Sequence, residues 1–176
     1  MTAAPARAPR RRIVKLKDGT RGYCMRADRL DECFAAALAT LVQLPMSKVP
    51  DWRLHEREDA GDDPEQIRRD AAAQLDEWLG ARGLQLVHHQ TPPVECARWI
   101  GICPPSPEVR RMFAYAHSLG FHAGNFQDHC VVMAFAEVLH DPAIAVTPPS
   151  GSQLRTFHLS DVTHGFTVHT TTTKES

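Results

Sequence analysis

A cysteine near the start of an apolar, alanine-rich stretch is the residue of this chain best suited to nucleophilic chemistry. The stretch covers residues 31–41 and reads DECFAAALATL. Its composition predicts a short buried helix with Asp31 as the N-cap and Cys33 in the first turn. The positive end of the helix dipole favours the thiolate form of a cysteine in that turn. Cys33 is therefore predicted to be a nucleophile, provided that the fold supplies a base.

The second half of the chain supplies a candidate base and a group to orient it. Residues 128–135 form a nearly continuous apolar run that predicts a central strand, and residues 138–142 predict a second short strand after a tight turn near Ala136. In such a hairpin the outer ends lie side by side, so His129 and Asp141 are predicted to hydrogen-bond. Spacing alone does not bring Cys33 to them, because that contact depends on the fold.

Two neighbouring residues are alternatives for these roles. Asp128 precedes His129, and His140 precedes Asp141, so each assignment can shift by one position. Alternation of side chains along the strands favours His129 and Asp141 pointing to the same end of the hairpin. Each residue also has a purely structural interpretation, with Cys33 as a small core residue, His129 as a satisfied histidine at a strand entrance and Asp141 as a turn residue.

The order of these residues resembles that of the papain-like cysteine peptidase superfamily. The resemblance is carried by Asp31-Glu32-Cys33 at the head of an alanine-rich helix and by a later His129-Cys130-Val131-Val132 strand followed by Asp141-Pro142. Within the superfamily, the chain is most similar to bacteriocin-processing (double-glycine leader) peptidases and their stand-alone bacterial relatives. The resemblance covers roughly residues 24–142 in order, although only these two short stretches carry it.

The resemblance implies an α+β fold in which N-terminal helices pack on a C-terminal antiparallel sheet. It implies that Cys33 is the nucleophile, His129 the general base and acid, and Asp141 the residue that holds the imidazole. The expected activity is hydrolysis or acyl transfer at an amide or ester, with a peptide, a protein or a small amide as substrate. The alternative is a catalytically silent domain of the same fold that binds a protein through its N-terminal arm and residues 119–127.

One departure from the family pattern concerns the oxyanion site. The family usually has a glutamine about six residues before the cysteine, whereas this chain reads Arg26-Ala27-Asp28-Arg29 there. The backbone N–H of Cys33 can still donate to an oxyanion, and Arg26 or Arg29 is a candidate for the second donor. Loss of one such donor typically slows catalysis by on the order of 100-fold or more.

The chain of 176 residues is 43% hydrophobic and 23% charged, with a formal net charge of -1. These values predict one globular domain, assigned to residues 13–169, that needs no disulfide or structural metal. Residues 1–12 contain four arginines and no acid, so they are predicted to form a disordered basic arm, and residues 170–176 a disordered tail. A near-neutral chain is not expected to bind nucleic acid, apart from this short arm.

The five cysteines are odd in number and unevenly spaced, which favours reduced thiols and a cytoplasmic location over a disulfide framework. No signal peptide is predicted, because no apolar h-region follows the N-terminal arginines. No membrane partner is predicted either, because no apolar run approaches the roughly 18 residues that span a bilayer. Neither Cys-x-x-Cys nor His-x-x-x-His occurs, and there is no glycine-rich phosphate loop. No metal and no cofactor are therefore expected.

The remaining elements are predicted from periodicity and turn signals. The strongest helix covers residues 64–81, with Asp63 as the N-cap, Pro64 at the first helical position and Gln66 completing a capping box. Residues 46–59 are predicted to be a connecting loop, and a helix is predicted after Ser106-Pro107. Strands are predicted at 13–17, 84–87 and 98–103, and outer strands at 154–159 and 166–169.

Overall fold

The structure, a computed structural model, describes residues 12–25, 32–104, 128–145 and 157–171. These residues form a mixed helix and sheet fold, consistent with the predicted α+β class. The elements in chain order are β1 (Ile13–Lys15), β2 (Arg21–Tyr23), α1 (Cys33–Val42), α2 (Leu54–Asp59), α3 (Pro64–Gly80), β3 (Leu84–His89), β4 (Trp99–Cys103), β5 (His129–Ala134), β6 (Glu137–His140) and β7 (His164–Thr170). Three short 3-10 helices lie at Met46–Lys48, Pro142–Ala145 and Leu159–Asp161.

Five strands form one antiparallel sheet in the order β3-β7-β4-β5-β6, and β1 and β2 form a separate two-stranded sheet. The last strand of the chain therefore lies inside the large sheet, between β3 and β4, which corrects the prediction of an outer strand at 166–169. The other predicted outer strand is wrong over its described part, because Phe157 and His158 are irregular and Leu159 begins a 3-10 helix. Local propensity does not reveal this order, since strand neighbours are chosen by packing.

Helix α1 lies at the centre of the core because its side chains are small. Four alanines, at positions 35, 36, 37 and 39, are buried along it and allow the helix backbone to approach the sheet closely. The helix begins at Cys33 with Glu32 as its N-cap residue, so the predicted cap is displaced by one position; Asp31 lies outside the described residues. It ends at Val42, because Gln43 adopts the left-handed conformation with φ of 55°.

Two polar side chains fasten α1 to strand β2. Thr40 Oγ1 accepts a hydrogen bond from the Tyr23 backbone N–H at 2.9 Å and donates to the Ala36 carbonyl at 2.8 Å. The Gln43 amide bonds both backbone groups of Arg21, each at 3.0 Å. Strand β2 and helix α1 are therefore held together at two points, which fixes the position of the helix that begins at Cys33.

The predicted helix at 64–81 is confirmed as α3, and its capping by Asp63 is also observed. The Asp63 carboxylate accepts from the backbone N–H groups of Glu65 and Gln66. The reciprocal half of the capping box is wrong, since the Gln66 amide donates instead to Asp70 Oδ1 at 2.6 Å. The predicted loop at 46–59 is also wrong in part, because it contains α2 and a 3-10 helix.

The described chain is ordered slightly beyond the predicted domain limits. The Arg12 carbonyl accepts from the Cys24 N–H at 3.0 Å, and Thr170 belongs to β7 and pairs with Leu84. The rest of the predicted arm and tail, and the predicted helix after Ser106-Pro107, lie outside the described residues. Among the residues that are described, no helix is both long enough and apolar enough to cross a membrane.

Strands β4 and β7 approach each other closely at Gly165. A methyl group on Gly165 would lie 2.6 Å from Trp99 Cε3 and 2.7 Å from the carbonyl oxygen of Ile100. Trp99 is fully buried, and its indole N–H donates to the Phe135 carbonyl at 2.9 Å, in the turn between β5 and β6. Gly165 thus leaves room for the ring that anchors this hairpin.

We predict that Gly165→Ala lowers the free energy of unfolding by about 2–3 kcal/mol, because the new methyl group overpacks a backbone and a buried ring. Gly80→Ala is the matched control. Gly80 ends α3 with open space around it, so alanine there should raise the free energy of unfolding by up to about 1 kcal/mol. Urea denaturation of both variants measures the difference. A Gly165→Ala protein as stable as wild type would contradict this account of the β4–β7 contact.

Candidate active site

Cys33 lies at the start of α1, where the helix meets the beginning of β5. Its side chain is 7% exposed, and Sγ is 3.8 Å from the Asp128 carbonyl oxygen. The backbone N–H groups of the first helical turn have no partners within the helix, so their partial positive charge lies beside the sulfur. The helix therefore presents a thiol to the beginning of β5, in a setting that favours its ionised form.

His129 is the first residue of β5 and contacts both of the other predicted site residues. Its Nε2 is 2.7 Å from Asp141 Oδ1, and the Cys33 thiol lies close enough to the same imidazole to raise its pKa. Since Asp141 occupies Nε2, Nδ1 is the ring nitrogen left for the thiol proton. The ring is 2% exposed and packs against Phe157, with the ring centroids 5.0 Å apart. The imidazole thus bridges the thiol and the carboxylate.

Asp141 follows β6 and begins a turn into the 3-10 helix. Its Oδ1 accepts from the Ala143 backbone N–H at 2.8 Å as well as bonding His129. Burial alone would raise the pKa of the Asp141 carboxyl, but the hydrogen bond and charge of His129, together with the Ala143 N–H, hold that pKa below its ordinary value. The residue is therefore a carboxylate at neutral pH.

The segment that leads towards Cys33 also fixes the residues on either side of Asp141. The Tyr23 carbonyl accepts from His140 Nε2 at 2.8 Å, and the Met25 N–H donates to the Pro142 carbonyl at 3.0 Å. Both bonds belong to the stretch that runs from β2 towards α1. These two bonds anchor the residues before and after Asp141 to Tyr23 and Met25.

A bulge between β5 and β6 places Asp141 on the same face as His129. Near the turn, Met133 pairs with Val138, and the same register continued outward would put residue 142 opposite His129. The observed pairing shifts by one residue, so Val132 faces His140, and the continued register puts residue 143 opposite His129. Because side chains alternate, only the shifted register gives residue 141 the same face as residue 129.

The imidazole of His129 carries a proton at neutral pH. Burial alone would lower its pKa, but hydrogen bonds to Asp141 and Cys33 and the negative charge of both raise the pKa to about 10. An imidazolium next to a thiol favours loss of the thiol proton. The two pKa shifts therefore favour a thiolate on Cys33 and an imidazolium on His129 at neutral pH.

The pKa of the Cys33 thiol lies well below its ordinary value. The largest cause is a hydrogen bond from the Cys130 side chain, followed by opposing burial, and then by the hydrogen bond and charge of His129 and the backbone N–H of Cys130. The hydrogen bond to Cys33, burial and the Cys33 charge raise the pKa of Cys130 in turn. Cys33 holds the charge of this pair, because the hydrogen bond and charge of His129 lower its pKa. When protonated, Cys33 can donate to the Asp128 carbonyl.

The two alternative residues do not take part in this arrangement. His140 is buried and points to the Tyr23 carbonyl, and burial lowers its pKa. Asp128 is exposed, and the group of this residue that approaches Cys33 is the backbone carbonyl. The three predicted residues, Cys33, His129 and Asp141, are the ones that the fold brings together.

Sequence reasoning missed Cys130 as part of the site, along with Phe157 and the Ala143 N–H. Cys130 directly follows His129, but a side chain next to it in a strand normally points to the opposite face. Its contact with Cys33 depends on how α1 crosses the end of β5, which no local pattern encodes. Among the described residues, no group of three or more histidine, cysteine or acidic side chains is placed to hold a metal. Arg26 and Arg29, the candidate oxyanion donors, lie outside those residues.

We predict that His129→Ala lowers the rate of Cys33 alkylation by iodoacetamide at pH 7 by at least about tenfold. The variant loses the hydrogen bond and the positive charge of the imidazole, so the thiol pKa rises and fewer molecules hold a thiolate. In wild type the rate should stay level from neutral into mildly acidic pH and fall only as the thiolate protonates. In His129→Ala it should climb with rising pH through the alkaline range.

Peptide mapping reports the labelling of Cys33 and of the half-buried Cys96 in the same sample, so Cys96 serves as the internal reference. His88→Ala removes an exposed histidine from β3 and is the matched control, with an expected profile like that of wild type. Identical pH profiles for wild type and His129→Ala would show that the imidazole does not control the thiol.

No protein-family model, curated protein or solved structure matches this chain.

Proposed function

We propose that the protein is a cysteine-dependent hydrolase or acyl transferase of the papain-like type, acting on an amide or an ester. The observation that carries the proposal is the placement of the His129 imidazole between the Cys33 thiol and the Asp141 carboxylate, 2.7 Å from the latter. Acyl transfer through a covalent intermediate requires a nucleophile, a base beside it, and a third group that orients the base.

The fold supports the same proposal. The nucleophile begins an apolar helix that packs on an antiparallel sheet, and the base and the orienting residue lie at the outer ends of adjacent strands. The chain order is cysteine, histidine, aspartate, which is the order of the papain-like peptidases that the sequence resembles. Bacteriocin-processing peptidases and their stand-alone relatives are the subgroup that the proposal favours.

The first half-reaction follows from the resting charges. The Cys33 thiolate attacks the substrate carbonyl carbon, so an S–C bond forms and the carbonyl electrons move to the oxygen. The His129 imidazolium then gives its proton to the departing amine or alkoxide as the C–N or C–O bond breaks. Asp141 keeps the imidazole in position and stabilises its positive charge. The product is a thioester on Cys33.

The second half-reaction uses the imidazole in its neutral form. His129 takes a proton from water, or from another acceptor nucleophile, as that group attacks the thioester carbonyl. The C–S bond breaks and the Cys33 thiolate is restored beside the reprotonated imidazole. Attack by water gives hydrolysis, and attack by an amine or alcohol gives acyl transfer.

Attack on the carbonyl leaves a negative charge on its oxygen, the oxyanion. Among the described residues, one hydrogen-bond donor to this oxygen is assigned. The backbone N–H of Cys33 lies at the helix start and is free of an intrahelical partner. Arg26 and Arg29 stay candidates for the second donor by their position before the cysteine. An arginine there would supply positive charge where the related peptidases use a neutral amide, which suits a substrate with an anionic group near the scissile bond.

We predict that p-nitrophenyl acetate, a general activated ester, transfers one acetyl group to Cys33. The measurement is a burst of p-nitrophenol together with intact-mass and peptide mapping of the acetylated protein. Cys33→Ala should abolish both signals, whereas Cys96→Ala should leave both unchanged, because Cys96 lies outside the site. Native wild-type protein that shows no acetylation at Cys33 would contradict the proposal and favour the silent, protein-binding alternative.

Asp141→Asn is predicted to slow acetylation by at least about tenfold, because the imidazole loses the charge that raises its pKa and stabilises the ion pair. The wild-type rate should fall in acid as Cys33 protonates. Turnover should also fall as pH rises through about 10, where His129 loses the proton that it gives to the leaving group. In Asp141→Asn this alkaline limit should move to lower pH. An unchanged alkaline limit would contradict the orienting role of Asp141.

A further inference from the structure

His140 takes no part in the proton transfers, yet a chain of buried hydrogen bonds joins it to the helix that carries the nucleophile. It is the last residue of β6, directly before Asp141, and its side chain is 5% exposed. Its Nε2 donates to the Tyr23 carbonyl at 2.8 Å. The acyl-transfer steps themselves give this buried imidazole no role.

The backbone of Tyr23 is the central link of the chain. Its carbonyl accepts from His140, and its N–H donates to Thr40 Oγ1 at 2.9 Å. Thr40 lies on α1, the helix that begins at Cys33, and its hydroxyl donates in turn to a carbonyl of the same helix. One residue of β2 therefore connects the strand that ends beside Asp141 with the helix of the nucleophile.

The imidazole of His140 lies against a glycine that leaves room for it. A methyl group on Gly22 would lie 2.9 Å from His140 Nδ1 and 3.0 Å from its Cε1. These separations are shorter than van der Waals contact, so a side chain at position 22 would displace the ring from the Tyr23 carbonyl. Gly22 and Tyr23 together fit the imidazole, with a glycine beside the ring and an acceptor at its Nε2.

Packing alone does not account for a histidine at this position. Burial lowers the pKa of His140 against the opposing effects of the Tyr23 carbonyl and Asp141, so the ring is neutral at neutral pH. An apolar side chain of similar size would fill the space, but it would leave the buried Tyr23 carbonyl without this partner. The imidazole adds an N–H group that is fixed on β2.

We propose that His140 is a positioning residue, which holds Asp141 in place relative to α1 through the Tyr23 backbone and the Thr40 hydroxyl. This proposal rests on the proposed function for the role of Asp141 and adds the residue that places it. The backbone of His140 leads directly into Asp141, whose Oδ1 is 2.7 Å from His129 Nε2. Loss of the anchor at residue 140 therefore weakens the bond between the carboxylate and the imidazole.

The residue after Asp141 has an anchor of its own. The Met25 N–H donates to the Pro142 carbonyl at 3.0 Å. A carboxylate between two anchored residues has little freedom to turn away from His129. Because the Met25 bond stays in place, removal of the His140 anchor is expected to displace the carboxylate without separating this end of β6 from the β2 segment.

The test measures p-nitrophenyl acetate turnover against pH in the full-length protein. In His140→Leu we expect acetylation to slow by at least about tenfold and the alkaline limit to fall by at least about one pH unit from about 10, because His129 loses part of the charge that raises its pKa. His140→Gln should restore the wild-type limit, since its amide N–H can donate to the same carbonyl.

Thr40→Val breaks the chain at its other end and keeps the shape of the side chain. It should move the alkaline limit in the same direction. Combined with His140→Leu, it should shift the limit by less than the sum of the single shifts, because both changes act through Tyr23.

His89→Leu is the matched control and should leave the alkaline limit unchanged. It removes a half-buried histidine that hydrogen-bonds Thr167 Oγ1 at 2.7 Å. His89 lies on β3, the edge strand of the sheet opposite β6, so its loss perturbs the sheet without touching the chain of bonds through Tyr23.

The alkaline limit separates positioning from simple support of the fold. A merely structural histidine would lower the free energy of unfolding in urea and leave the limit of the folded protein unchanged, and this outcome in His140→Leu would overturn the proposal. If His140→Leu does not fold, an unchanged limit in Thr40→Val overturns it equally.

Alkylation of Cys33 by iodoacetamide separates failure of this proposal from failure of the proposed function. In His140→Leu the acidic fall of the alkylation rate should move to higher pH, because a less stable imidazolium raises the pKa of the thiol. A moved profile in a protein that p-nitrophenyl acetate never acetylates would sustain the positioning role and exclude acyl transfer. Acetylation with an unchanged alkaline limit and an unchanged alkylation profile would do the reverse.

Discussion

The hydrogen bond between His129 Nε2 and Asp141 Oδ1, 2.7 Å long, is the interaction on which the rest of the site depends. It holds a positive charge on an imidazole that is almost completely buried, and an isolated charge there would be very costly. The carboxylate is stabilised in turn by the Ala143 N–H, and the Cys33 thiolate by Cys130. Each buried charge thus has an opposite charge or a hydrogen-bond donor beside it, and removal of His129 leaves two anions without their cation.

The fold maintains this interaction through one irregularity in an otherwise regular sheet. The register shift between Val132 and Met133 gives residues 129 and 141 the same face, whereas a regular hairpin would separate them. Trp99 holds the turn of the hairpin from one side by its bond to the Phe135 carbonyl, and the β2 segment holds its open end through Tyr23 and Met25. The bulge is therefore fixed at both ends of the hairpin and does not depend on its own pairing alone.

The sequence predicts two kinds of feature well: contacts between residues close in sequence, and the order of the candidate site residues along the chain. The Asp63 cap of α3 succeeds because the carboxylate and the N–H groups it accepts from are only two or three residues apart. A hairpin with adjacent outer ends predicts that His129 and Asp141 hydrogen-bond. In the structure they meet because a bulge between β5 and β6 puts both side chains on one face of the sheet. The central place of β7, the short α2 and the contact of Cys130 with Cys33 were missed, since each depends on packing between segments distant in sequence.

The low pKa of the Cys33 thiol also makes this residue sensitive to oxidation. A thiolate reacts with peroxide far faster than a thiol does, so a fold that keeps Cys33 charged for acyl transfer also keeps it ready for oxidation. Cys130 lowers the pKa of the Cys33 thiol in the reduced protein, so the surroundings that favour the charge of the nucleophile also favour its oxidation.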